Sequence, residues 1–365
     1  MKKLYTIQYL RAIAAILVVY SHAIDLQQMF GSSAQQDFFY LANIGSIGVD
    51  IFFVISGFII AYIARNEYGP RAAKDFMLRR VVRIVPAYYI ASFLRLVILA
   101  LGAQFIFPLK TVIKTITIIP LFDYGPEPWG NLLGLGWTLS FEFLFYILYV
   151  LLIAFTVKRK DVYLVIAALS LFVLGILLPV EQLQWRFVTN PMVIEFAFGV
   201  MIAMIYKSAH HIPRWLCLLL IAVGTAAIVC QVFYDYGLVW EAAQILAGKW
   251  VLQRVLLWGL PSALLAAGAI WLEKSKEQLL PENKSLAFLG DASYSIYLAH
   301  PICFAILAAV SKRMPGIAAL LPGDLLILLY LLTGVSCGIV FHLYVEKPVI
   351  RVLNHILFKP KTVKA

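Results

Sequence analysis

The stretch TIQYLRAIAAILVVYSHAIDLQQM, running from Thr6 to Met29, decides how the rest of the chain is read. It is long and apolar enough to cross a bilayer as a helix, yet Arg11 and His22 lie inside it. They are eleven positions apart, about three helical turns, so both side chains leave nearly the same face, roughly 16 Å apart along the axis. Ionisable groups inside a membrane helix are costly and are kept toward the bundle interior or a wet cavity. A polar track from one membrane surface toward the middle is therefore expected, and the remaining sequence is read for what it adds to that track.

Of the 365 residues, 62% are hydrophobic and 13% charged, and the mean hydropathy is +0.89. A soluble domain has no use for so much apolar sequence, whereas several membrane-length segments do. Ten spans are predicted, at 7–29, 44–64, 82–102, 137–156, 162–179, 190–206, 214–232, 251–271, 292–310 and 324–345, giving an all-α polytopic bundle. Lys2-Lys3 ahead of an apolar run imitates a secretory signal, but the run is too long and carries Arg11, so an uncleaved first helix is expected. Alternate loops place about 21 Lys and Arg on one side against about 6 on the other, which makes the basic side, with both termini, cytoplasmic. The net charge of +11 is mostly this topological bias. Its scatter over short loops argues against a nucleic-acid partner. Residues 103–136 read as the longest external loop, with a re-entrant or interfacial piece, because Pro108, Lys110 and Lys114 interrupt their apolar pattern. One membrane domain, residues 1–350, with a short basic cytoplasmic tail, 351–365, is expected. Cys217, Cys230, Cys303 and Cys337 have no metal-type spacing and read as packing residues.

Asp25 shares a face with His22 and is placed to hold one ring nitrogen. The alternative for His22 is a structural bond to a neighbouring helix, and for Arg11 snorkelling to lipid phosphates. In FMLRRVVRIVP (76–86), Arg80 and Arg83 present two guanidinium forks on one helical face, a pattern that suits phosphate oxygens and equally suits lipid anchoring. In GWTLSFEF (136–143), Glu142 is expected at the depth of His22, paired either with that ring or with Arg254 or a tyrosine, and Trp137 reads as an interfacial anchor. Asp50 near the start of the second span reads as a polar packing partner, Glu195 as a buried acid in need of a pair, and His300 as a core hydrogen-bonder ahead of Pro301. Glu346 is expected to pair with Arg79 or Arg80.

The Arg-x10-His of the first span, GVDIFFVISGF, FMLRRVVRIVPAYY, WTLSFEFLFY, SYSIYLAH and the terminal VEKP together resemble the acyltransferase-3 family of bacterial membrane acyltransferases over residues 11–348. The resemblance implies about ten helices in the inner membrane and transfer of an acyl group, commonly acetyl, from cytoplasmic acyl-coenzyme A to hydroxyls of cell-surface glycans. It implies functional roles for Arg11 and His22 and for the Arg80/Arg83 pair. It implies no permanently bound cofactor, acyl-coenzyme A being a substrate. One departure stands out: Ala299 precedes His300 where the family carries tryptophan. Because the chain stops about twenty residues past its last span, it resembles the membrane-only members that act on exopolysaccharides or O-antigens.

The expected chemistry follows from these residues. Arg80, Arg83 and Arg11 grip the donor's phosphates, and His22 acts as general base or acyl carrier. Asp25 or Glu142 orients the ring. The acceptor is a polysaccharide or lipid-linked saccharide, with membrane lipid around the bundle; the oligomeric state is open. The rival readings are a transporter using the same polar track, which the absence of a visible inverted repeat weakens, and an acyltransferase for a lipid or small-molecule hydroxyl.

Overall fold

In the computed structural model the apolar runs fold as helices, since in lipid every backbone N–H and C=O must find its partner within its own segment. The structure describes residues 4–31, 42–64, 66–101, 109–118, 133–178, 182–208, 212–231, 241–275, 282–314, 316 and 320–358. The helices are α1 (Tyr5–Phe30), α2 (Ile47–Ile63), α3 (Pro70–Leu101), α4 (Leu109–Thr117), α5 (Gly136–Ala154), α6 (Lys160–Leu177), α7 (Leu183–Val188) and α8 (Val193–Ser208). After them come α9 (Arg214–Cys230), α10 (Ala242–Leu246), α11 (Val251–Arg254), α12 (Leu260–Lys274), α13 (Lys284–Arg313), α14 (Gly323–Phe341) and α15 (Lys347–Leu357). A π-helical turn at Val255–Gly259 joins α11 to α12, and another at His342–Glu346 joins α14 to α15. No strand occurs among the described residues.

Nine of these segments are long and apolar enough to cross a membrane, and α9, at 17 residues, is the tenth apolar helix, so the ten expected spans are all helical. Their ends differ from the sequence expectation where charge extends a helix beyond hydrocarbon. Thus α3 begins at Pro70 instead of residue 82, which places Arg79, Arg80 and Arg83 on one rod. The last span likewise runs on as helix through Leu357; residues 359–365 of the expected tail lie outside the described ones. Within 103–136, α4 is too short to cross a bilayer, and the Tyr89 hydroxyl ties it to α3 through the Ile116 carbonyl at 2.6 Å.

α1, α2, α5, α8, α12 and α13 form the interior, and α3, α6, α9 and α14 turn apolar faces outward, among them Phe93 and Val97, Ile166 and Val173, Leu219 and Val223, Leu328 and Leu332. An outward ring of this kind is what a lipid solvent requires. Helix backbones meet closely where glycine allows it: a Cβ on Gly57 would sit 1.9 Å from the Phe196 carbonyl oxygen, and one on Gly290 2.1 Å from that of Gln8. At the basic end, Lys207 Nζ bonds Asp161 at 2.5 Å and the Ala61 carbonyl at 3.2 Å, joining α2, α6 and α8. At the same end Glu273 of α12 accepts the Tyr5 and Thr6 amide N–H groups at 2.8 and 2.9 Å, satisfying two donors that the first turn of α1 leaves without helical partners.

Candidate functional site

Among the described residues, Arg11, Arg80, Arg83, Glu142, His22 and Asp25 line two cavities inside the bundle. The first, about 400 Å³, has a lining that runs from Leu4 and Ile63 at the basic end up to Val49 and Tyr297. Arg11 of α1, Arg80 and Arg83 of α3, and Glu142 of α5 all face it. Three guanidiniums from two helices therefore converge, and none of them forms an ion pair with a carboxylate among the described residues. The charged groups within electrostatic reach of Arg11 are Arg83, Glu346, Asp291 and Glu142. Arg80 is steadied by aromatic faces, with its guanidinium carbon 5.1 Å from the Phe76 ring centre and 5.6 Å from that of Tyr146.

Glu142 is not beside His22. Its carboxylate accepts from Ser56 Oγ at 2.7 Å and from the Tyr146 hydroxyl one turn on, which draws it into the arginine cavity. Of the partners weighed for it, a tyrosine holds it. Arg254 instead grips Asp50 with two hydrogen bonds, Nε to Oδ1 at 3.1 Å and Nη2 to Oδ2 at 2.8 Å, both residues being wholly buried. Glu195 is buried in electrostatic contact with that pair.

The second cavity, about 520 Å³, holds His22, Asp25 and His300 and runs from Val49 and Tyr297 to Met29, Leu133 and Ala308 at the opposite end. His22 Nδ1 lies 3.1 Å from Asp25 Oδ2. That contact makes Nδ1 the protonated nitrogen and leaves the Nε2 lone pair available, with no hydrogen-bond partner among the described residues. The pair is about half exposed to the cavity, at 42% and 46% of side-chain surface. His300 is fully buried and stacks on His22 with ring centres 5.2 Å apart; its Nδ1 bonds the Ile296 carbonyl at 3.0 Å. It thus hydrogen-bonds within the core, as expected, and also walls the site.

Two further expectations are corrected. Trp137 is buried edge-on against Phe53 and Phe141, where packing inside the bundle outweighs an interfacial position. Arg79 bonds Glu67 at 2.5 Å. Glu346, in the π-helical turn, bonds Ser295 Oγ of α13 and His342 Nδ1, each at 2.6 Å, instead of Arg79 or Arg80, while Arg83 stays within its electrostatic reach. Sequence reading also passed over Arg95. This α3 residue lines the His22 cavity and donates from Nη1 to the Pro301 carbonyl at 2.6 Å. The signal was present, an arginine amid Phe93-Leu94 and Leu96-Val97-Ile98 in the third span.

With this geometry in hand, comparison with known proteins is informative. A family model described as an acyltransferase domain matches residues 4–345. The exopolysaccharide production protein ExoZ of Rhizobium meliloti is 28% identical over 324 residues, covering 85% of this chain and 90% of that protein. A Staphylococcus aureus protein named as a candidate O-acetyltransferase is 24% identical over 334 residues; the match covers 82% of this chain and half of that longer protein. A stretch of 58 residues is 47% identical to a Bacillus subtilis protein named as a candidate peptidoglycan O-acetyltransferase, covering 15% of this chain and 9% of that protein. No solved structure matches the chain.

Proposed function

The chain belongs to the acyltransferase-3 family, and from that premise we propose that it moves an acetyl group from cytoplasmic acetyl-coenzyme A to a hydroxyl of an exported polysaccharide at the bacterial inner membrane. The observation that carries the donor is the set of guanidiniums of Arg11, Arg80 and Arg83, none of them ion-paired among the described residues, around one cavity at the basic end, the end taken as cytoplasmic. Guanidinium forks match phosphate oxygens, and coenzyme A carries its phosphates at the end remote from its sulfur. Its pantetheine arm reaches roughly 15 Å, the length of a four- to five-residue extended chain, close to the rise from Arg11 to His22. Glu142 belongs with the donor in this reading, offsetting one of three positive charges.

His22 supplies the base. Asp25 holds the Nδ1–H tautomer, so Nε2 takes the proton of the attacking sugar hydroxyl. The sugar oxygen bonds to the thioester carbonyl carbon, the carbon–sulfur bond breaks, and the imidazolium returns the proton to the departing thiolate. Arg11 has the Glu142-bearing cavity on its side, nearer the donor phosphates than the reacting carbonyl. The polysaccharide acceptor draws support from the relative named for exopolysaccharide production, with which the likeness extends over nearly the whole of both chains.

Purified protein in proteoliposomes with radiolabelled acetyl-coenzyme A and the cell's own polysaccharide tests the reading. Wild type should label the glycan and His22→Ala should not, while both retain coenzyme A binding. Labelling by His22→Ala at near the wild-type rate would refute the assignment of the base. Transport of the saccharide without acyl-coenzyme A turnover would replace the reaction altogether.

A further inference from the structure

The arginine cavity and the histidine cavity are distinct, yet their linings share two residues, Val49 and Tyr297. Tyr297 is buried on α13, one turn before His300. Its ring meets Phe52 nearly edge-on at 6.0 Å and His300 at 6.3 Å. Its hydroxyl lies 2.9 Å from Thr138 Oγ1 on α5. Thr138 donates its own hydroxyl proton to the Leu135 carbonyl at 2.9 Å, so Tyr297 is the donor in the Thr138 contact. A ring from α13 is thereby latched to α5, across the line that joins the two cavities.

The placement has a physical consequence. The arginine cavity extends to the basic end and the histidine cavity to the opposite end, so joined they would form one path through the bundle, largely apolar in lining but with Arg11, Glu142 and His22 along it. A tyrosine suits the dividing position because its apolar body fills space while its polar tip can be fastened and released. Val49, the other shared residue, has nothing to latch.

We propose that Tyr297, held by Thr138, is a positioning residue that seals the two cavities from each other and admits the acyl-bearing end of the donor to His22 when the hydroxyl contact is released. The admission of the donor rests on the function proposed above; the seal does not. Asymmetry in the hydrogen bond makes Tyr297→Phe the clean variant, since Thr138 keeps its Leu135 partner, whereas Thr138→Val strands a buried phenol.

The test uses the full chain in proteoliposomes containing a pH-sensitive dye. Without donor, Tyr297→Ala should raise the proton leak severalfold, because water enters the space the ring had filled, and Tyr297→Phe, which keeps the ring and loses only its hydrogen bond, should raise it less. With acetyl-coenzyme A, Tyr297→Phe should raise the ratio of hydrolysis to transfer about fivefold, the population shift expected for loss of one neutral hydrogen bond. Thr138→Val should raise it likewise, and the double variant should go no further, since both single changes break the same contact. A Tyr297→Ala protein as tight as wild type overturns the seal. Additive effects of Phe and Val overturn the latch, and this second measurement decides the matter if Tyr297→Ala fails to insert. A leaky Tyr297→Ala beside a wild type that never turns over acetyl-coenzyme A upholds the seal and overturns the donor reading.

Discussion

Replacing Asp25 with asparagine keeps a hydrogen-bond acceptor facing His22 Nδ1 and removes only the negative charge, which isolates what that charge does. The carboxylate oxygen is 3.1 Å from the ring nitrogen, which places its charge about 4 Å from the centre of an imidazolium. At that range two unit charges interact by about 4 kcal/mol at an effective dielectric of 20 and about 1 kcal/mol in bulk water. Both side chains are nearly half exposed, so screening brings the figure toward the middle, about 1.5 to 3 kcal/mol. If the imidazolium forms only in the transition state, all of that appears in the barrier, roughly a 10- to 100-fold fall in kcat. The KM values for both substrates should change by less than about twofold, since the neutral ring of the ground state scarcely feels the charge. Steady-state acetyl transfer in proteoliposomes, with both substrates varied, measures this directly. A kcat within twofold of wild type would refute the role given to Asp25. So would a loss as complete as that of His22→Ala, because a carboxylate that merely orients and screens cannot be worth the base itself.

Other expectations concern the donor cavity and the frame that holds it. Arg80→Ala and Arg83→Ala should each raise the KM for acetyl-coenzyme A by roughly 10- to 100-fold, the loss of one charge-assisted contact of about 1.5 to 3 kcal/mol; unchanged donor affinity would return the pair to lipid anchoring. Arg254→Leu leaves the Asp50 carboxylate buried without its partner and should cost about 3 to 5 kcal/mol, read as loss of folded protein by fluorescence size-exclusion chromatography. Converting both members, Asp50→Leu with Arg254→Leu, should recover much of that loss, and failure to recover would point to a role beyond pairing. Gly57→Val drives a side chain into the Phe196 carbonyl and should lower the melting temperature in detergent sharply, whereas Gly316→Ala, at an open position without a positive φ, should not.

The bundle itself was legible because spans of hydrocarbon length announce themselves, and the shared face of Arg11 and His22 followed from helix periodicity alone. Asp25 was equally within reach, being one turn from His22. Pairings between distant segments were not: Asp50 and Arg254 meet across 204 positions, and no local pattern encodes which buried acid takes which base. Glu142 illustrates the limit of counting residues for depth. Tyr146 and Ser56 hold its carboxylate, and those contacts decided which cavity it joined. Arg95 was overlooked although its charge was plain, because Arg83 at the mouth of the same helix had already accounted for the basic character of that span. The Tyr297–Thr138 contact depends on how α13 leans on α5, which only the folded arrangement shows.

On the function proposed above, α1 carries both one of the arginines that meet the donor's phosphates and the base that meets its thioester, and no proline, glycine or π-helical turn interrupts it between Tyr5 and Phe30. With Glu273 pinning its first turn, this rod behaves as a gauge of fixed length. Adding or deleting a single residue between positions 11 and 22 would turn Arg11 about 100° away from His22 around the axis. On the proposed function, donors would be measured by stature: a carrier lacking the full pantetheine arm would present its acyl group short of the mark, however well its phosphates were held.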